Sequence, residues 1–146
     1  MLSIRRARPT DLPSILRIEK KSFAHDAWDR ENFAGYFAQS KRTVFLVAHV
    51  RCSVVGYALA YHSLTRAEID SIAVAPSKRG HGIAPALLTR LLASLRRRGF
   101  PAVSLRVRLD NLTAIRLYQK LGFARIRRVN NYYDDGAPAL RMRRIL

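Results

Sequence analysis

The sequence predicts an α/β protein, a mixed sheet with helices on its faces, and three observations carry that prediction. Apolar residues recur at every second position in some stretches and every three to four positions in others. The two patterns follow one another as β-α-α-β-β-β-α-β-α-β-β, with no internal repeat and no low-complexity linker. The chain has 146 residues, 49% of them hydrophobic, enough to fill one core and too few for two, so a single domain over 1–146 is expected.

Each element has its own warrant. Leu2 and Ile4 alternate with Ser3 and Arg5 as a short first strand, and Thr10-Asp11-Leu12-Pro13 reads as an N-cap with an acidic first turn. Leu12, Ile15, Leu16, Ile18 and Phe23 follow at helical spacing up to a break at His25-Asp26-Ala27-Trp28. Asp29 caps a second helix through Phe33, Tyr36 and Phe37. The β-rich runs Thr43 to Val50 and Val54 to Tyr61, separated by Arg51-Cys52-Ser53, predict a hairpin, and a further strand runs from Ala67 to Val74. Beyond Pro76 a polar, glycine-bearing turn leads into a helix marked by Ile83, Leu87, Leu88, Leu91, Leu92 and Leu95. That helix closes on Arg96-Arg97-Arg98-Gly99, basic residues and a glycine where the helix dipole favours cations. Val103 to Leu109 alternates as a half-buried strand, Asp110-Asn111 caps a helix that Gly122 ends, and Phe123 to Val129 and Ala139 to Ile145 supply two last strands.

Composition narrows the function classes. Lys and Arg number 27 against 10 Asp and Glu, a net charge of +17, and 22 of the cations are arginine. A field of that sign attracts nucleic acid, ribosomes, an acidic protein segment or a phosphate-bearing cofactor, and it also serves solubility. Cys52 stands alone, which excludes a disulfide framework and a thiolate zinc site; no metal is expected. No run approaches the roughly 20 apolar residues of a membrane span, and the first residues lack an apolar signal core. A cytoplasmic protein without a membrane partner, monomeric or weakly homodimeric, is the expectation.

The strongest local signal is a strand, a loop with Gly80 and Gly82, and a helix. Glycines there let backbone approach a ligand, unpaired N–H groups at the helix start attract an anion, and Arg79 adds a cation. The nucleotide P-loop is excluded because no Gly-Lys-Ser/Thr follows, and the dinucleotide fingerprint fails for want of a third glycine.

The run from Ile72 through Arg79-Gly80-His81-Gly82-Ile83-Ala84 to Leu88 resembles the acetyl-CoA signature of the GNAT superfamily of N-acetyltransferases, whose core is Arg/Gln-x-x-Gly-x-Gly/Ala; here Arg79, Gly82 and Ala84. The segment Leu105 to Phe123 is similar to the second signature of that superfamily, about thirty residues on. Asn131-Tyr132-Tyr133 with Asp135-Gly136, and Trp28, resemble the protein N-terminal acetyltransferases, notably the bacterial ribosomal-protein-alanine enzymes and their archaeal relatives. The resemblance implies a GNAT fold and acetyl transfer to a primary amine, most naturally a protein or peptide N-terminus, with acetyl-CoA as co-substrate. It implies pyrophosphate on Arg79, Gly80, His81, Gly82, Ile83 and Ala84, and the pantetheine arm on Ile72, Ala73, Val74 and Asn111. Tyr118 matches the family's general acid, and Trp28, Tyr132 and Tyr133 fall toward the acceptor.

The resemblance breaks at the base. Arg106 stands where the bacterial N-terminal enzymes carry a glutamate, leaving Glu68 and Asp70, which the two-residue period puts on one face; Glu68 is favoured because other members place a base there. Arg106 then needs a partner, either one of those carboxylates or an acidic group of the substrate, and the +17 charge tilts the expectation toward the substrate. A lysine side chain or small amine is the alternative acceptor. It is disfavoured because an amine of pKa about 10.4 costs roughly 3.5 kcal/mol more to deprotonate than an α-amine near 7.7–8.0. A non-catalytic RNA- or ribosome-binding module is a third reading, weakened by the retained glycine loop, Asn111 and Tyr118.

Overall fold

The computed structural model describes all 146 residues except the side chain of His25. Seven strands, β1 (Leu2–Arg6), β2 (Thr43–Val50), β3 (Ser53–His62), β4 (Ala67–Val74), β5 (Ala102–Arg108), β6 (Ala124–Val129) and β7 (Ala139–Ile145), form one sheet in the order β1-β2-β3-β4-β5-β7-β6. Helices α1 (Leu12–Phe23) and α2 (Arg30–Ala38) cover one face; α3 (Ile83–Arg97) and α4 (Leu112–Lys120) lie on the other. The predicted element order and class are those observed.

The two faces hold two halves of the core. Leu87, Leu88, Leu91 and Leu95 of α3 and Ile115 of α4 pack on Ala58, Ile69, Leu105 and Met142. Ile15 and Ile18 of α1 and Phe33 of α2 pack on Phe45, Tyr57 and Leu59. Asp29 caps α2 as predicted, accepting from Asn32 N–H at 2.9 Å while the Asn32 side chain accepts from Asp29 N–H. Thr10 is no cap: Pro9–Asp11 winds into a 3₁₀ turn, and Asp11 is buried, accepting two hydrogen bonds from the Arg5 guanidinium at 2.7 and 2.8 Å and one from Arg8 N–H. Strand ends shift by a residue: β3 starts at Ser53, β5 stops at Arg108, and Phe123 packs into the core before β6 begins.

All neighbouring strands are antiparallel except β4 and β5. That parallel pair is joined only over Ala67↔Val103, Glu68↔Ser104 and Ile69↔Leu105, after which the strands part. A bulge in β4 accompanies the split, because Ala60 of β3 opposes Ile69 and Leu59 opposes Ser71, leaving Asp70 as the extra residue. The bulge changes the phase of the strand. Ala67 and Ile69 pack toward α3, whereas Ala73, an even number of residues later, packs toward α1 and α2.

Candidate active site

The parting strands open a cleft of about 780 Å³ between β4 and β5, bounded by the break after α1, the start of α4 and the loop between β6 and β7. Glu68, Asp70, Ile72, Arg106, Asn111, Tyr118, Trp28, Tyr132 and Tyr133 all line it. Residues far apart in sequence therefore meet at one place. Ala73 and Val74 do not line it: their side chains are buried in opposite core halves. Their backbone, with Ile72, pairs with β3 on one edge, and beyond Ile69 no strand pairs with the other.

Residues 79–84 form a separate, largely exposed turn that leads into α3. Gly80 and Gly82 have φ of +79° and +77°, and a Cβ on either would meet nothing within 4 Å, so it is the left-handed backbone that demands glycine there, not lack of space. Gly82 is the N-cap of α3; the N–H groups of Ile83 and Ala84 fall in the first helical turn, which supplies them no acceptor. Arg79 is held in place, its Nε donating to Val74 O at 3.1 Å and its Nη2 to Ser22 Oγ at 3.1 Å. His81 turns Nδ1 toward the carbonyls of Lys78 and Arg79. Asn111 caps α4, its Oδ1 accepting from Ala114 N–H at 3.2 Å, which leaves the side-chain NH₂ for another partner.

Three groups in the cleft can handle protons. Tyr118 is buried on α4, edge-on to Phe123, and burial raises its phenol above the ordinary range, so it stays protonated at neutral pH. Asp70 accepts from Tyr36 Oη at 2.6 Å; burial pushes its carboxyl up to about 6, despite that hydrogen bond. Glu68 is ion-paired with Arg106. The expectation that the substrate neutralises Arg106 is therefore overturned: the partner is internal, because the open parallel pair puts Glu68 and Arg106 on the same face of adjacent strands. Glu68, the carboxylate favoured as the base because other family members place one there, is thus engaged by Arg106, whereas Asp70 accepts from Tyr36. Arg108, one period on, is also paired internally. It reaches Asp26 at 2.7 Å and Asp135 at 3.0 Å while lying over Tyr133 at 4.5 Å, clasping the break after α1 to the β6–β7 loop. Tyr133, half-buried there, has its phenol pushed up to about 12 by burial and by Tyr132.

Sequence reasoning missed Glu19. It is buried on α1, where its carboxylate accepts from Tyr57 Oη, from Trp28 N–H at 3.0 Å and from Ser71 Oγ at 3.4 Å. Desolvation raises its pKa while the three donors oppose the rise. The signal was present, since Glu19 follows Ile15 by four residues and so falls on the apolar stripe of α1. Trp28, fixed through its backbone by Glu19, stacks on Tyr36 with ring centres 5.6 Å apart.

Splitting the sheet between two parallel strands leaves a slot with unpaired hydrogen-bonding backbone along one wall. The model described as the Acetyltransferase (GNAT) family matches residues 10–123, and the chain belongs to that family. It is 35% identical over 135 residues to the [ribosomal protein bS18]-alanine N-acetyltransferase of Escherichia coli, covering 91% of this chain and 88% of that one. The solved structure of that Escherichia coli enzyme matches with a TM-score of 0.90, covering 99% of this chain and 94% of the other. An N-alpha-acetyltransferase of Sulfurisphaera tokodaii is 32% identical over 156 residues, covering 95% and 90%. YncA of Salmonella typhimurium, solved with its cofactor acetyl-CoA, matches with a TM-score of 0.86 at 26% identity, covering 99% and 94%.

Proposed function

We propose that this protein is an acetyl-CoA-dependent N-acetyltransferase whose acceptor is the N-terminal α-amine of a protein or peptide. The observation that carries the reading is the cleft itself, which an unpaired β4 edge, a buried tyrosine and a carboxylate with pKa about 6 line together. The naming of the Escherichia coli and Sulfurisphaera tokodaii relatives and the cofactor of YncA support it.

The residues present fit acetyl-CoA. The exposed turn 79–84 offers left-handed glycines and a helix N-terminus for phosphates, Ile72 to Val74 offer a free backbone edge, and Asn111 a free amide NH₂. The bound co-substrate supplies a thioester carbonyl, which the neutral amine attacks while the thiolate departs. Asp70, ionised above about pH 6, takes the amine proton. Tyr36, its phenol raised by burial and by Asp70, remains a donor that holds the Asp70 carboxylate in place. Tyr118 donates to the leaving thiolate. Trp28, Tyr132 and Tyr133 wall the acceptor side, and Glu68 serves by neutralising Arg106. An α-amine is favoured over lysine because a carboxylate of pKa about 6 is a weak base for an ammonium of pKa about 10.4.

The test is acetyl-CoA turnover against N-terminal peptides, peptides blocked at the N-terminus but bearing lysine, and polyamines. Turnover confined to free N-termini is expected; turnover on the blocked lysine peptides alone would overturn the reading.

A further inference from the structure

From a row of arginines leading out of the cleft we infer that the acceptor carries acidic residues a few positions after its N-terminus; this rests on the N-terminal acetylation reading above.

The row follows from the strand register. Arg106 of β5 opposes Arg141 of β7, which opposes Arg127 of β6, so three guanidinium side chains stand on one sheet face at one level across three adjacent strands. Like charges directly opposite on a sheet are destabilising. Arg106 is relieved by Glu68, but among the described residues neither Arg141 nor Arg127 has a carboxylate within salt-bridge distance. Arg141 donates to the neutral Ser104 Oγ at 3.2 Å, and Arg127 is exposed.

On that face the Tyr132 ring lies 5.5 Å from the Arg106 guanidinium, and beyond it Arg127 is exposed. No residue of β5, β6 or β7 belongs to the core half beneath α1 and α2, so no helix covers the row, and it starts at a residue that lines the cleft. With strands about 4.8 Å apart, Arg127 lies roughly 10 Å out from Arg106 at the backbone. An extended peptide advances about 3.4 Å per residue, so a chain leaving the cleft along this face lays side chains from about its third residue onward over Arg141 and Arg127. Carboxylates there relieve the repulsion that the fold leaves uncompensated. An acidic peptide fits better than a nucleic acid, because the row is a single file beginning inside the acceptor cleft.

The experiment measures kcat/KM for three peptides identical in their first two residues and carrying Glu, Gln or Lys at positions three to six. It uses the wild type, the double variant Arg127→Gln/Arg141→Gln and, as a control, Arg90→Gln on the exposed side of α3. The expected result is a five- to tenfold preference for the Glu peptide over the Gln peptide, the scale of two exposed ion pairs. It should be expressed in KM, weakened by salt, kept in Arg90→Gln and lost in the double variant. No preference, or one the double variant keeps, overturns the inference, as does a double variant that loses affinity for a short RNA while its peptide ratios stay at the wild-type value. Failure of all three peptides to be acetylated would instead count against the acceptor class itself.

Discussion

Removing the Glu19 carboxylate should cost this fold more than any other single polar truncation in the cleft. Glu19 is 2% exposed and joins four segments: α1 on which it sits, Trp28 in the following break, Tyr57 on β3 and Ser71 on β4. Glu19→Ala leaves the Trp28 N–H without its acceptor and opens a cavity, although Tyr57 Oη and Ser71 Oγ, 2.8 Å apart, can still bond each other. One unsatisfied buried donor plus the lost side-chain packing comes to about 3 kcal/mol. For a chain of this size that is a fall in Tm of roughly 10 °C. Glu19→Gln keeps the shape; its carbonyl accepts from Trp28 N–H and its NH₂ donates to the hydroxyls, so about 1 kcal/mol is expected. The pH dependence adds a signature. Burial raises the Glu19 pKa, so the native state binds more protons than the unfolded chain as pH rises from the ordinary carboxylate range, and wild-type stability falls through that window. Gln has no such titration, so the gap between wild type and Glu19→Gln narrows toward neutral pH. Urea unfolding across that range measures both effects. A Glu19→Ala protein within about 1 kcal/mol of wild type, or a gap that widens with pH, would refute the reasoning.

Three further outcomes follow from the same geometry. Tyr118→Phe should lower kcat by about 10²-fold or more with little change in KM for acetyl-CoA; full turnover would return Tyr118 to a packing role. In the wild type, kcat/KM should rise with pH through about 6 as Asp70 ionises, and Asp70→Asn should lose at least about 10²-fold, whereas a profile that Asp70→Asn leaves unchanged removes Asp70 as the base. Gly56→Ala would bring a Cβ within 3.1 Å of Ala73 O and 3.3 Å of Ile83 and Leu87, so a loss of about 1–2 kcal/mol is expected in thermal unfolding, and an unchanged Tm would show that the sheet yields there.

The sequence by itself determined the parts whose physics is local. Periodicity and β-rich runs marked the seven strands and four α-helices, Asp29 and Asn111 announced their caps, and the paired glycines announced a special turn before α3, whose left-handed backbone only the fold displays. The residue types of the cleft were also legible, because both signature runs are contiguous. Tertiary structure decided which of these groups are spent on one another. Glu68 and Asp70 look alike two residues apart on a strand, yet pairing across β4 and β5 commits Glu68 to Arg106, while burial lifts the Asp70 carboxyl to about 6 against the opposing hydrogen bond from Tyr36. Asp11 reads in sequence as the acidic first turn of a helix and in the fold is the partner of Arg5. Glu19 sits on the apolar stripe of α1 by its spacing from Ile15, but which groups bury it and donate to it only the docking of α1 decides. The bulge at Asp70, which aims the cleft wall, has no counterpart in periodicity, because it exists only relative to β3. Local propensity is a property of neighbours in the chain; desolvation and ion pairing depend on what the fold brings within a few ångströms, and a linear pattern does not contain those distances.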